Sequence, residues 1–386
     1  MSVKSFSYNM PVRVEFGEGA ASNVANELLA MGCKKPLIVT DKGVVGAGLL
    51  APITQALEEA KVPVIIFDEV VGNPTDVIVE NGIKMYSDEN CDSLIAVGGG
   101  SSMDSAKAIG LVKLNGGNIR EYDEDNGHTR RGPNGIPTLI TIPTTAGTGS
   151  EVTPFAVITD TSRHWKMSIT PGFAKVALID PLMTVSMPGS LVAATGMDAL
   201  THAVEAYITK NTNIMSDFIN LYAIELIARY LRRSFANGAD VEARAMVLLG
   251  NSIAGIGFQQ VGLGSVHALA HILGGQLNVP HGVGNAMLLP YVMEFNMPAK
   301  AEKLADIAIA MGENVEGMSV IDAAEKAVAA VKRLSADIGI PRLRDVGCKE
   351  EDFPKYAELA LKDGNTNNNP RETSVKDYIN IYKKAY

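Results

Sequence analysis

Cysteine, histidine, basic charge and long apolar runs are all scarce in this 386-residue chain, and each scarcity excludes something. The three cysteines, Cys33, Cys91 and Cys348, are odd in number and lack CxxC spacing, so no disulfide framework is expected and a reducing compartment suits them. No run approaches the roughly 18 apolar residues of a membrane span. Residues 1–12 lack the apolar core of a signal peptide, so the expected location is cytoplasmic. Lys and Arg number 34 against 43 Asp and Glu, and the net charge of −9 argues against nucleic acid or an anionic membrane as partner. What is present is ordinary for a globular enzyme: 46% hydrophobic and 20% charged residues, in a chain too long for one core, so two domains are expected.

The first half alternates short β-branched runs with helical patterns. Residues 36–40, 64–67, 93–97, 137–142, 156–159 and 176–179 read as strands, with helix-like stretches at 49–60 and 75–89, which predicts a parallel sheet covered by helices. From Leu191 onward Ala, Leu, Ile and Met recur at helical spacing and β-branched runs almost cease. The expectation is an α/β N-terminal Rossmann-like parallel-sheet domain, residues 1–187, followed by an all-helical C-terminal domain, residues 188–386. Residues 12–16 have a strand-like pattern suited to pairing across a subunit interface, and residues 365–370 form a polar, Asn-rich loop.

Of the six histidines, His202, His267, His271 and His281 lie in apolar, Gly- and Ala-rich surroundings where an unpartnered imidazole is costly. His128 and His164 sit among charged residues and read as surface. Asp198 and His202 are four apart and share a helix face, so both can grip one ion, while His267 and His281 can close the site from a second helix and a following loop. Either four-residue spacing alone also arises by chance on amphipathic helices; their clustering points to a divalent-metal site.

Gly98-Gly99-Gly100-Ser101 follows an apolar run and precedes a helical stretch at 102–113. Glycines there let backbone amides approach a phosphate at a helix N-terminus, although a tight strand-to-helix turn explains one or two of them. The pattern is not GxGxxG and follows the third strand, unlike the standard dinucleotide fingerprint. Asp41 ends the first strand, where a carboxylate either accepts hydrogen bonds from ribose hydroxyls, favouring NAD over NADP, or caps a helix or turn. Thr144-Thr145-Ala146-Gly147-Thr148-Gly149-Ser150 is a second small, hydroxyl-rich loop, either a cofactor wrap or a surface turn.

With these segments in hand, the chain resembles the iron-containing, or group III, alcohol dehydrogenase family over essentially its full length. The motifs are GGGSSMDSAKAIG from Gly98, PTTAGTGSEVT from Pro143, ATGMDALTHAVEAY from Ala194 and GSVHALAHILGGQLNVPHGVGNA from Gly264. The resemblance implies a dehydroquinate-synthase-like architecture with the cofactor and metal in the cleft between domains. It implies metal ligands at Asp198, His202, His267 and His281, with His271 beside metal and nicotinamide; one helical turn from His267, His271 is the candidate for proton relay or substrate positioning, with a structural role as the competing account. It implies a dinucleotide site lined by Asp41, Asn73, Gly99, Gly100, Ser101, Thr144, Thr145, Thr153 and Lys166, and a homodimer or larger homo-oligomer. The expected activity is NAD(H)-linked interconversion of short-chain primary alcohols, diols such as 1,3-propanediol included, and aldehydes. Family membership supplies Fe²⁺, whereas three imidazoles and a carboxylate also accept Zn²⁺ or another divalent ion.

In relatives acting on small diols, polar residues stand where this chain has Pro154-Phe155-Ala156. Phe155 and Phe258 are therefore expected as apolar pocket walls, with ordinary core packing as the competing account. Gln259-Gln260 departs from the asparagines common among relatives. The alternatives are a hydrolase or a lyase on the same metal-binding scaffold; a hydrolase leaves Asp41, the triple glycine and the TTAGTGSE loop without a purpose.

Overall fold

The computed structural model describes residues 5–123, 130–163 and 165–386. His128 and His164 lie outside the described residues. The chain divides into two compact units, Met10–Met187 and Pro188–Tyr386, the second joined by the N-terminal segment up to Asn9.

Among the described residues, the first unit has eight strands: β1 (Arg13–Phe16), β2 (Pro36–Asp41), β3 (Ile65–Val70), β4 (Ser93–Gly98), β5 (Leu139–Pro143), β6 (Ala156–Asp160), β7 (Trp165–Ile169) and β8 (Val176–Ile179). Six form one parallel sheet in the order β1-β8-β5-β4-β2-β3. The inner strands β4, β5 and β8 are buried along their whole length, which explains their near-continuous apolar runs; β1 at one edge is partly buried in its middle and exposed at both ends. Five helices accompany the sheet: α1 (Val24–Ala30), α2 (Lys42–Gly46), α3 (Ala51–Glu59), α4 (Asp76–Asp88) and α5 (Gly100–Asn115). α1 and α3 bury Val24, Leu28, Ile53 and Leu57 in one apolar core with Ile38, Ile95 and Ile140 of the strands.

The structure adds three things to these expectations. Residues 156–159 do not join the parallel sheet; β6 pairs antiparallel with β7 in a separate hairpin. Its partner β7, Trp165-Lys166-Met167-Ser168-Ile169, alternates apolar and polar residues over its whole length, a strand signal in the sequence. Residues 12–16 form β1, which pairs in parallel with β8 of its own chain, Arg13 opposite Val176, and stands at the edge of the sheet. Finally, the segment before Met10 packs with the helical unit: Tyr8 donates its hydroxyl to the Ile256 carbonyl at 2.6 Å, and Gln260 donates to the Asn9 carbonyl at 2.8 Å. That contact gives Gln260 a structural purpose.

The second unit consists of α6 (Gly189–Ile208), α7 (Ile214–Ala236), α8 (Val241–Phe258), α9 (Ser265–Leu277), α10 (His281–Ala310), α11 (Val320–Asp337), α12 (Phe353–Ala360) and α13 (Val375–Ala385). α6 is the axis, buried from Met197 through Ile208 and packed against α7, α8 and α10. α8 is long and apolar enough to cross a membrane, but it is mostly buried against α7 and α6, the pattern of a core helix. Glycines permit the closest helix approaches: a Cβ on Gly196 would meet Leu231 at 2.2 Å, and one on Gly282 would meet the Ala194 carbonyl oxygen at 2.2 Å.

Candidate functional site

In the helical unit, Asp198 and His202 lie one turn apart on α6, His267 in the first turn of α9, and His281 at the start of α10. One ligand atom from each lies within 4.8 Å of all the others, so the group can hold a metal ion. Asp198, His202 and His267 are buried and His281 is partly open. Gly282 explains how His281 reaches the group: without a side chain, it lets the start of α10 rest on the backbone of α6 beside Asp198.

Glu205 completes the face begun by Asp198 and His202, at positions 0, 4 and 7 of α6. Its carboxylate accepts the backbone N–H groups of Val266 at 2.6 Å and His267 at 3.3 Å, satisfying donors that the N-terminus of α9 leaves free. It also stands 2.6 Å from Nδ1 of His267. Burial pushes the Glu205 carboxyl up to about 7, against the backbone N–H groups that pull it down. Burial, reinforced by repulsion from His202 and His271, holds His267 well below its ordinary value, so the ring is neutral. A neutral imidazole with Nδ1–H on a carboxylate presents a lone pair at Nε2, the form a metal takes.

Asn285, one turn beyond His281 on α10, donates from Nδ2 to Asp198 Oδ1 at 2.7 Å and lies 3.1 Å from Nε2 of both His267 and His281. Phe258 stacks on His202 with ring centroids 4.6 Å apart, and His271 stacks on His281 at 5.4 Å. Nδ1 of His271 is 2.7 Å from Asp363 Oδ2. Burial raises the Asp363 carboxyl, but the His271 charge and the hydrogen bonds from His271 and Asn365 outweigh it and bring the group down to about 2. Asp363 opens the Asn-rich segment, which forms a short 3-10 turn, Gly364–Asn368. Its carbonyl at Asn368 is held by Thr209 and Lys210, and Asn369 pairs reciprocally with Asn296 at 2.9 Å.

Glu205, Asn285 and Asp363 were missed in the sequence. Glu205 and Asn285 had a signal in their helical spacing to Asp198, His202 and His281; Asp363 had none, being 92 residues from His271.

In the α/β unit, β2 continues outward to β3 and β4 continues to β5 on the other side, so the strand order reverses between β2 and β4. Ligands of open α/β sheets bind at the carboxyl ends of strands flanking such a reversal. Asp41 ends β2 there and Gly98 ends β4. Asp41 Oδ1 caps α2 by accepting the Val44 N–H at 3.0 Å, so the capping role is real. Gly98 adopts φ +149°, and a Cβ would strike Ser102 Oγ at 2.4 Å. Gly99 caps α5, with Gly100 and Ser101 in its first turn. The next loop closes over them: Thr144 donates its N–H to the Gly98 carbonyl at 2.9 Å, while Cβ atoms on Gly99 and Gly100 would meet Thr145 at 3.1 Å and Thr148 at 2.7 Å.

Buried Lys107 fixes that loop by donating to the Ser150 carbonyl, Ser150 Oγ and the Phe155 carbonyl at 2.7–2.8 Å. Thr153 is buried in the same loop. Lys166 reaches Asn73 Oδ1 at 2.9 Å, bringing together two residues far apart in sequence. Phe155 and Phe258 belong to different units, so within either unit they are not neighbours.

Comparison with known proteins defines the class. Residues 11–181 match the model of the iron-containing alcohol dehydrogenases, and residues 192–386 match the C-terminal model of the Fe-containing alcohol dehydrogenase family. The chain belongs to the iron-containing alcohol dehydrogenase family, an oxidoreductase class that interconverts alcohols and aldehydes. It is 45% identical to a 1,3-propanediol dehydrogenase of Klebsiella pneumoniae over the whole of both chains. An NAD-dependent methanol dehydrogenase of Bacillus methanolicus is 41% identical, with 98% of this chain and 99% of that one covered. A solved 1,3-propanediol oxidoreductase superimposes with a TM-score of 0.95 at 44% identity, covering 99% of this chain and 100% of the other.

Proposed function

We propose that this protein is a metal- and NAD(H)-dependent dehydrogenase of short-chain primary alcohols, with simple alcohols, diols such as 1,3-propanediol and the corresponding aldehydes as the substrate class. The observation that carries this is the convergence of Asp198, His202, His267 and His281 within 4.8 Å, around a neutral His267, in a chain of this family. Those four residues hold the ion, Fe²⁺ by family, with Zn²⁺ or another divalent ion also compatible with the donors. When bound, the ion would supply Lewis acidity toward the substrate oxygen, and the nicotinamide would supply the hydride acceptor for alcohol oxidation.

The chain's own residues do the rest. Asp41, at the strand reversal, accepts from ribose hydroxyls with Oδ2 while Oδ1 caps α2, and its charge disfavours a 2′-phosphate. The N-terminus of α5 at Gly99, Gly100 and Ser101 receives the pyrophosphate, enclosed by Thr144, Thr145 and Thr153. Asn73 and Lys166 act as a pair at the cofactor wall. His271 relays the substrate proton, and Asp363 on Nδ1 fixes its ring. Phe258 forms an apolar wall beside His202. A cytoplasmic homodimer or larger homo-oligomer fits the charge, cysteine content and family.

The test strips the protein with chelator, restores Fe²⁺ anaerobically or Zn²⁺, and follows absorbance at 340 nm with NAD⁺ and 1-propanol or 1,3-propanediol. Activity restored by metal and lost in His267→Ala is expected. No NADH from any short alcohol with any metal would sink the assignment.

A further inference from the structure

The Asn285 carboxamide is fully buried at the centre of the four-residue group, yet its two ends are treated unequally. Three acceptors gather on Nδ2: Asp198 Oδ1 at 2.7 Å and the Nε2 atoms of His267 and His281 at 3.1 Å each. Two N–H protons serve three acceptors. Oδ1 has no hydrogen-bond partner among the described residues. Turning the amide over would set a carbonyl oxygen 2.7 Å from a carboxylate oxygen, so the charge of Asp198 fixes the orientation. The fold leaves a buried acceptor unpaired in order to keep a donor on the ligand atoms, which a residue present only for packing would not do.

We infer that Asn285 is a positioning residue for Asp198, and that its NH₂ group stands in for the cation by holding the ligand atoms together when no ion is bound. This rests on the assignment of the four residues as metal ligands. With an ion present, the imidazole lone pairs serve the ion, and the bond to Asp198 remains to orient the carboxylate. His281 and Asn285 share one face of α10, so a single helix delivers both a ligand and the group that orients another ligand from α6. Groups that orient metal ligands typically contribute about 10- to 100-fold in affinity.

The experiment compares full-length wild type, Asn285→Ala, Asn285→Ser and His267→Ala, each stripped of metal and titrated with Co²⁺ against a chromophoric chelator. The visible ligand-field spectrum of the Co²⁺ form and the far-ultraviolet circular dichroism are recorded alongside. Asn285→Ala should bind Co²⁺ about 10- to 100-fold more weakly with a shifted spectrum and unchanged dichroism. Asn285→Ser, which keeps a donor, should fall between it and wild type; it decides the matter should the alanine variant not fold. Wild-type affinity with an unchanged spectrum in a folded variant, or tighter binding, overturns the role of Asn285. Failure of wild type to bind, or binding by His267→Ala as tight as wild type, overturns the metal assignment instead.

Discussion

The Glu205 carboxylate lies 2.6 Å from Nδ1 of His267 and simultaneously accepts the backbone N–H groups of Val266 and His267. One side chain of α6 thus fixes the ring, tautomer and helix start of a residue on α9. Replacing Glu205 by Gln keeps the shape and removes the charge. About tenfold weaker metal binding is expected, measured by chelator competition, because the imidazole loses basicity at Nε2. Unchanged affinity would mean that Glu205 serves α9 alone.

Gly282→Ala tests the close packing behind His281. The added Cβ would lie 2.2 Å from the Ala194 carbonyl oxygen and 3.1 Å from Asp198 Cβ, and neither backbone can yield without moving α6 or α10. The variant should lose metal content, read by atomic absorption after gel filtration, and lower its thermal midpoint. Overpacking of this kind typically costs about 1–3 kcal/mol.

Asp363→Asn separates proton relay from metal binding. The variant should keep its metal and lose kcat, with His271→Ala falling further, within the roughly 10²–10⁴-fold span of general acid–base catalysis. Steady-state kinetics beside metal analysis checks this; a loss of metal equal to the loss of kcat would refute the division of labour.

Asp41→Ala removes the cap of α2 together with the proposed ribose acceptor. The ratio of kcat/KM for NAD to that for NADP should fall at least tenfold through relief of repulsion at the 2′-phosphate. Stability should drop by about 1 kcal/mol through the lost cap. An unchanged coenzyme ratio with the same stability loss would leave Asp41 as a cap only.

Lys107→Met uncouples the loop over the glycines. Asp104 and the Ser150 and Phe155 carbonyls lose a buried cation, a change that typically costs about 3–5 kcal/mol. Burial lowers the Lys107 amine to about 8, with Asp104 and Glu151 opposing. Below pH 8 both folded and unfolded chains hold the proton and the cost of the buried charge is fully present. Between about 8 and the ordinary 10.5 the unfolded chain binds more protons, so this group adds stability as pH rises. Urea denaturation at pH 7 to 10 should show wild type gaining on Lys107→Met across that window.

The amino-acid order by itself pointed to the two-part organisation, the inner strands and the grouping of Asp198, His202, His267 and His281, because each left a trace in local periodicity or in the placing of a few rare histidines among apolar residues. Asp41 showed where that stops: a carboxylate at a strand end fits a cap or a ribose, and only the tertiary structure shows that it caps α2 and stands beside the strand reversal between β2 and β4. Tertiary structure alone decided that β6 turns away into a hairpin with β7 and that β1 adds to β8, since strand pairing depends on which edges are free after the sheet assembles. It likewise decided that Asp363 meets His271 across 92 residues and that Asn285 faces Asp198 across 87. Hydrogen-bond partners so distant in the chain leave no periodic trace, because nothing in local backbone geometry couples them until the helices pack.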